Sequence, residues 1–184
     1  MHFLVLVLSL LITLTLSCSQ RNGTSQQRSR TDPLPGARAS LIDTQGKPVG
    51  TATFMESPKG VRIVVETTGV EPGIRGIHIH DRAACEPPSF QSAGEHFNPE
   101  GRLHGMLAPE GPHAGDLVNI TIGSDGTGRL DVINDRVTLG AGENSLFRPG
   151  GTSMVIHADP DDQSTDPSGA SGERIACGPI VRVK

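Results

Sequence analysis

From Ala37 onward the chain is a succession of short segments in which apolar and polar residues alternate, punctuated by glycine and proline. Ala39–Asp43, Val49–Glu56 and Val61–Thr67 follow the two-residue period of a strand. The turns Gln45-Gly46-Lys47-Pro48 and Ser57-Pro58-Lys59-Gly60 separate them, which predicts an antiparallel meander. Ile74–His80 continues the pattern, with Ile77 and Ile79 on one face and Gly76, His78 and His80 on the other. Leu117–Ile122, Gly128–Val132, Ser153–His157 and Arg174–Val183 bring the expected total to about eight strands. No long segment carries the 3.6-residue period of an amphipathic helix. The expected fold is all-β, an antiparallel sandwich or flattened barrel. Residues 81–115 and 158–173 break the strand rhythm, and loops of that length in a compact domain are commonly functional.

Two segments of different character precede the strands. Phe3–Leu16 is almost wholly apolar, long enough for a signal-peptide core and too short for an ordinary membrane-spanning helix. No Lys or Arg precedes it, only His2. Thr15 and Ser17 permit cleavage just before Cys18, which would leave that cysteine as the lipidated N-terminus of a lipoprotein. Leu16 fits such a site less well, and cleavage after Ser19 would discard Cys18. The stretch that follows is rich in Ser, Gln, Arg, Gly and Pro without apolar periodicity, the composition of a flexible tether. The expected division is a signal peptide over 1–18, a linker over 19–36 and one domain over 37–184, exported to the periplasm or cell envelope.

Composition narrows the partners. Aromatic residues make up 3% of the chain and Trp and Tyr are absent, so the core must be built from Val, Ile and Leu. The net charge is −4 and no Lys/Arg cluster occurs, which argues against nucleic acid. An anionic substrate would need a local positive field rather than a global one. Besides Cys18, the cysteines are Cys85 and Cys177. In an exported protein such a pair is usually bonded, closing a loop worth roughly 4 kcal/mol in the chain-entropy model. Two buried free thiols, or a cysteine metal ligand, are the alternatives.

The chemistry lies in the histidines. His78, His80, His96, His104, His113 and His157 form one ordered series with Asp116 beside them; only His2 stands apart. Neutral imidazole is the commonest protein metal ligand, and this many donors exceed the needs of one tetrahedral ion. Two metal ions are expected. Each fragment alone has an ordinary reading: His78 and His80 as two half-buried residues on a polar sheet face, His104 and His113 as solvated loop residues, His157 as a satisfied strand end. Their joint occurrence favours metal.

Gly76-Ile-His-Ile-His80, Ser92-Ala-Gly-Glu-His-Phe-Asn-Pro99, His104-Gly with His113-Ala-Gly-Asp116-Leu, and Arg174-Ile-Ala-Cys-Gly178 occur in the order found in copper/zinc superoxide dismutases. From Ala37 to Lys184 the chain resembles that family, and Cys85-Glu-Pro-Pro is similar to its bacterial exported branch. The resemblance implies a Greek-key topology, copper and zinc as cofactors, and superoxide anion as substrate. It assigns His78, His80, His96 and His157 to copper, and His96, His104, His113 and Asp116 to zinc. His96 would then bridge the two ions through both ring nitrogens and carry a proton in catalysis. Asp161 would link a copper-ligand histidine to a zinc-ligand histidine; its ordinary reading is one acid of the acidic loop that also holds Asp159, Asp162 and Asp166. Arg174 would attract and position the anion, held there by a Cys85–Cys177 disulfide.

Two positions depart from the family's habit. Glu173 precedes Arg174 where a small residue is usual, and Ser168 stands where many relatives carry Thr. A carboxylate beside the arginine is expected to slow anion capture. The competing reading is a non-catalytic exported domain that binds or buffers copper and zinc; the presence of every ligand position together with Arg174 disfavours it. Homodimer and monomer remain equally compatible with the sequence.

Overall fold

The computed structural model describes residues 36–183. The expected signal peptide, Cys18 and all of the expected linker except Gly36 lie outside those residues, as does Lys184. The strands are β1 (Ala37–Asp43), β2 (Pro48–Ser57), β3 (Gly60–Thr67), β4 (Gly73–Arg75) and β5 (Ile77–His80), then β6 (Ile120–Ile122), β7 (Gly128–Asn134), β8 (Ser153–His157), β9 (Arg174–Pro179) and β10 (Val181–Arg182). Among the described residues the one helical element is a 3-10 turn over Gln91–Ala93.

The strands form a single antiparallel sheet in the order β4-β6-β7-β3-β2-β1-β9-β8-β5, with β10 added on β1. The strands at the two ends of that order, β4 and β5, are consecutive in the chain and joined only by Gly76. The sheet therefore curls round until its ends meet, giving a nearly closed barrel with few exposed edges.

Gly76 also explains why Ile74–His80 is two strands rather than the single one expected. Its N–H donates to Asp159 O and its carbonyl accepts from His157 N, both at 2.8 Å, so pairing switches from β6 to β8 at this residue. A Cβ there would lie 2.8 Å from Ser171 Cβ, so the close approach requires glycine. Arg174–Val183 likewise divides at Ile180, whose N–H turns to Thr152 O. The strand expected over Leu117–Ile122 starts at Ile120, because Leu117 and Asn119 are engaged with the 158–173 loop.

The alternation read from the sequence sorts inside from outside. Ala37, Ala39 and Leu41 of β1 point inward while Arg38 and Ser40 are exposed. Phe54, Ile63, Val65, Ile77, Ile79, Leu130 and Ile156 join them in one core. Burying a Phe54-sized side chain stabilises by about 1.5–3 kcal/mol relative to leaving it exposed, and Val, Ile, Leu and Ala supply most of the remaining core. A second small cluster of Phe90, Ala93, Val155 and Cys177 lies outside the main core. It includes one end of the Cys85–Cys177 disulfide, whose Cα atoms are 5.6 Å apart.

Candidate metal centre

β5 is the last strand of the sheet order, and the 81–115 loop covers its free edge. Phe97 N donates to Ile79 O at 2.8 Å and Ile79 N to Gly115 O at 2.9 Å. These ladder-like bonds set His80 opposite His96 and His78 opposite Asp116. The loop thereby satisfies an edge that would otherwise present unpaired backbone groups, and in doing so delivers two of its own donors to the histidine face. That face is consequently buried: His78 and His80 are fully so, and no side chain of the constellation is more than 7% exposed. His157 arrives from the neighbouring strand β8, at a register irregularity that follows Ile156.

The donors converge as two sets that share one ring. His78, His80, His96 and His157 offer nitrogens that all lie within 4.8 Å of one another, and so do the donor atoms of His96, His104, His113 and Asp116. In the second set Asp116 Oδ1 lies 3.0 Å from His96 Nδ1, 3.1 Å from His104 Nδ1 and 3.3 Å from His113 Nδ1. A tetrahedron with metal–ligand bonds of about 2.0 Å has edges of about 3.3 Å, so the three edges that meet at Asp116 Oδ1 match a zinc site. In the first set His80 Nε2 and His157 Nε2 face each other at 3.4 Å, and the rings of His78 and His96 are 4.0 Å apart between centroids. An all-nitrogen set of this kind suits cupric copper.

The nitrogens that would face the ions are the ones left over. His78 Nδ1, His96 Nε2, His104 Nδ1 and His113 Nδ1 are buried without a hydrogen-bond partner. Buried polar atoms are rarely orphaned, and these are aimed at common points, so the residues fit two cations. The opposite ring nitrogens are held in place. His80 Nδ1 is 3.0 Å from Gly94 O and His157 Nδ1 is 3.2 Å from Gly172 O. Asp161 reaches both sets, 2.7 Å from His78 Nε2 and 3.0 Å from His104 Nε2. Partners of this kind fix ring orientation and tautomer.

Charge follows burial. Desolvation, reinforced by the neighbouring imidazoles, pushes His96 and His157 down to about 3 and His80 well below its ordinary value. His78 is lowered by burial in spite of Asp161. These rings are therefore neutral near neutral pH, the form that donates a lone pair to metal. Burial would also lower His104, but the adjacent carboxylate of Asp116 and the hydrogen-bonded carboxylate of Asp161 outweigh it and raise that ring to about 9. Burial would raise Asp116, yet the imidazoles of His104, His113 and His96 and the amide of Gly105 hold it far below the carboxylate range. The pull towards positive charge is thus concentrated around Asp116, on the zinc-like side.

A cavity of about 380 Å³ opens onto the first set, lined by His80, His96, His157, Ser168, Glu173 and Arg174 among others. Arg174 is tethered there by a 2.8 Å bond from Nη1 to Phe90 O. Phe90 has a left-handed backbone (φ 54°) and a fully buried ring packed with Cys177, so the disulfide cluster anchors the arginine through this carbonyl. Glu95 and Asp159 also line the cavity, which sets three carboxylates, counting Glu173, against one guanidinium.

A protein-family model, copper/zinc superoxide dismutase (SODC), matches residues 49–180. The chain belongs to that family. The chain is 51% identical over 146 residues to superoxide dismutase [Cu-Zn] 2 of Aquifex aeolicus, covering 78% of this chain and 85% of that one. It is 42% identical over 159 residues to superoxide dismutase [Cu-Zn] of Deinococcus radiodurans, with coverages of 78% and 83%. Among solved structures, a SOD-like protein from Bacillus subtilis superposes with a TM-score of 0.75 at 34% identity, covering 78% of this chain and 97% of that one. The Cu/Zn superoxide dismutase of Brucella abortus does so with a TM-score of 0.65 at 28% identity, covering 79% and 99%. The all-β expectation and the copper/zinc family resemblance both hold, and Cys85 and Cys177 are bonded.

Sequence reasoning missed the supports of the constellation. Asn119 brackets Asp161, donating from Nδ2 to Asp161 O at 2.8 Å and accepting Asp161 N at Oδ1 at 2.9 Å. Asp166 accepts the amide of His104 at 2.8 Å. An asparagine before a strand and an aspartate in an acidic loop carry no spacing that would have singled them out.

Proposed function

We propose that the protein converts superoxide to oxygen and hydrogen peroxide in the cell envelope, holding copper on His78, His80, His96 and His157 and zinc on His96, His104, His113 and Asp116. The observation that carries the reading is the sharing of His96: Nδ1 faces Asp116 Oδ1 at 3.0 Å while the buried Nε2, lacking a partner, belongs to the all-histidine set. Copper, when bound, supplies a one-electron couple through which two superoxide anions exchange an electron, while zinc supplies positive charge without redox chemistry.

The residues of the chain do the remaining work. Arg174 binds and orients the anion at the end of the cavity, where a guanidinium presents a planar fork of donors to a small oxyanion. Two anions consume two protons in forming one oxygen and one peroxide. His96 Nε2 is the atom placed to hold one of them next to the substrate, and the other enters from solvent through the cavity. Asp161, Gly94 O and Gly172 O keep the rings from swinging between turnovers. The buried Ile77, Ile79 and Ile156 behind the ligands exclude water from the barrel side.

Export is supported by the apolar run Phe3–Leu16 and by the Cys85–Cys177 disulfide, a bond characteristic of oxidising compartments. Cys18 is the proposed lipid attachment point, with 19–36 as the tether; cell fractionation and mass analysis of the mature N-terminus test both. The activity is tested by following superoxide decay in fast kinetics with the protein reconstituted with copper and zinc. Decay set by the copper content and abolished in His157→Ala is the expected result. A folded protein that binds both metals and leaves superoxide untouched would point instead to metal buffering.

A further inference from the structure

The turn from His113 to Asp116 carries two donors of the zinc set, yet apart from the isolated bridge of Asp116 to His78 it has no regular structure of its own. Its four carbonyls are nevertheless all taken. Ile79 N bonds Gly115 O at 2.9 Å, and the other three are engaged by one corner of the barrel, the end of β7. Asn134 Nδ2 donates to Ala114 O at 2.8 Å. Arg136 donates from Nε to His113 O at 3.2 Å and from Nη2 to Asp116 O at 2.9 Å. The corner is itself braced, because Arg136 N donates to Asn134 Oδ1 at 2.8 Å. Asn134 is 1% exposed and pairs with Val61 in the long β3–β7 ladder, so the clamp is rooted in the most regular part of the sheet.

We propose that Arg136, assisted by Asn134, is a positioning residue that sets His113 and Asp116 in the geometry zinc requires; the inference rests on the reading of that donor set as the zinc site. A guanidinium is a rigid plane, so two of its bonds fix the two peptide planes that flank the turn together. Fixing those planes fixes where His113 Nδ1 and Asp116 Oδ1 can sit. A lysine at this position keeps the charge but presents a single ammonium and loses the fork. Asp135, 3.3 Å from Arg136 Nη1 and 74% exposed, holds only the outer edge of the guanidinium and is not part of the clamp.

The test uses the full chain with Arg136→Lys, Arg136→Met and Asp135→Asn. Zinc affinity is measured by competition with a chromophoric chelator, and ligand geometry by the visible spectrum of cobalt bound in place of zinc. Loss of partners that orient metal ligands typically costs about 10- to 100-fold in affinity. Arg136→Met is expected towards the upper end of that range and Arg136→Lys towards the lower, each with an altered cobalt spectrum. Asp135→Asn is expected to match the parent, and copper affinity is expected to hold throughout. Parent-like zinc binding and cobalt spectra in both Arg136 variants would overturn the clamp. Copper affinity falling by the same factor as zinc would also overturn it, by showing a merely structural role. A parent chain that takes up no zinc would sink the zinc assignment itself, and the clamp with it.

Discussion

The two halves of the metal centre share a ring but are built by different means. On the copper-like side His78, His80 and His157 stand on paired strands β5 and β8, and their rings are fixed by Asp161 and the carbonyls of Gly94 and Gly172. On the zinc-like side His104, His113 and Asp116 sit on an irregular loop. There, geometry comes from side chains reaching over from elsewhere: Asp161 and Asp166 from the 158–173 loop, Asn134 from the end of β7 and Arg136 from just beyond it. A strand-borne site inherits its shape from the barrel, whereas a loop-borne one must be assembled. The first should survive metal removal largely intact, and the second should depend on zinc for much of its order.

The largest effect expected from breaking this division is in His157→Ala. It removes a strand-borne nitrogen without touching the loop, so dismutation should fall to background in stopped-flow assays while zinc content, measured by elemental analysis, is retained. Asp161→Asn strikes both halves, because one carboxylate holds His78 and His104. A loss of about 10- to 100-fold in affinity is expected for each metal, with the loop-borne side losing more; equal losses in competition titrations would weaken the comparison. Cys85→Ser should act on stability and on the Arg174 anchor rather than on metal binding. The bond closes a loop of sequence separation 92, worth about 4 kcal/mol in the chain-entropy model. Calorimetry should show a lower melting temperature, and a variant melting with the parent would refute that role. The smallest effect is expected in Glu173→Gly at low ionic strength. Removing one of three carboxylates from the cavity should speed superoxide capture modestly, since an exposed pair contributes under about 1 kcal/mol; an unchanged rate would show that Glu173 does not impede the anion.

The seven residues that converge as two donor sets could be grouped from the sequence because six of the seven histidines fall in one ordered series, and their spacing carries meaning on a strand and in a loop. His-x-His with period two and the His113–Asp116 spacing needed no structure to be grouped. The folding of the 81–115 loop against β5 was not legible, because it depends on backbone bonds such as Phe97 N to Ile79 O, which no side-chain pattern encodes. For the same reason the division of one apparent strand at Gly76 was missed: a continuous alternation says nothing about a change of partner. Phe90 would not have been singled out either. Its contribution is a carbonyl presented to Arg174 by a left-handed backbone, and an ordinary buried aromatic gives no sign of that. Arg136 and Asn134 were invisible on similar grounds, since what they recognise is the main chain of a distant loop.

The central claim is that one imidazole joins a strand-held copper site to a loop-held zinc site. Anomalous diffraction at the copper and zinc absorption edges, on crystals of the protein loaded with both metals, tests it most directly. Two peaks are expected on opposite sides of the His96 ring, copper among His78, His80 and His157, zinc among His104, His113 and Asp116. Both metals at a single position, or a His96 ring that touches only one of them, would contradict it.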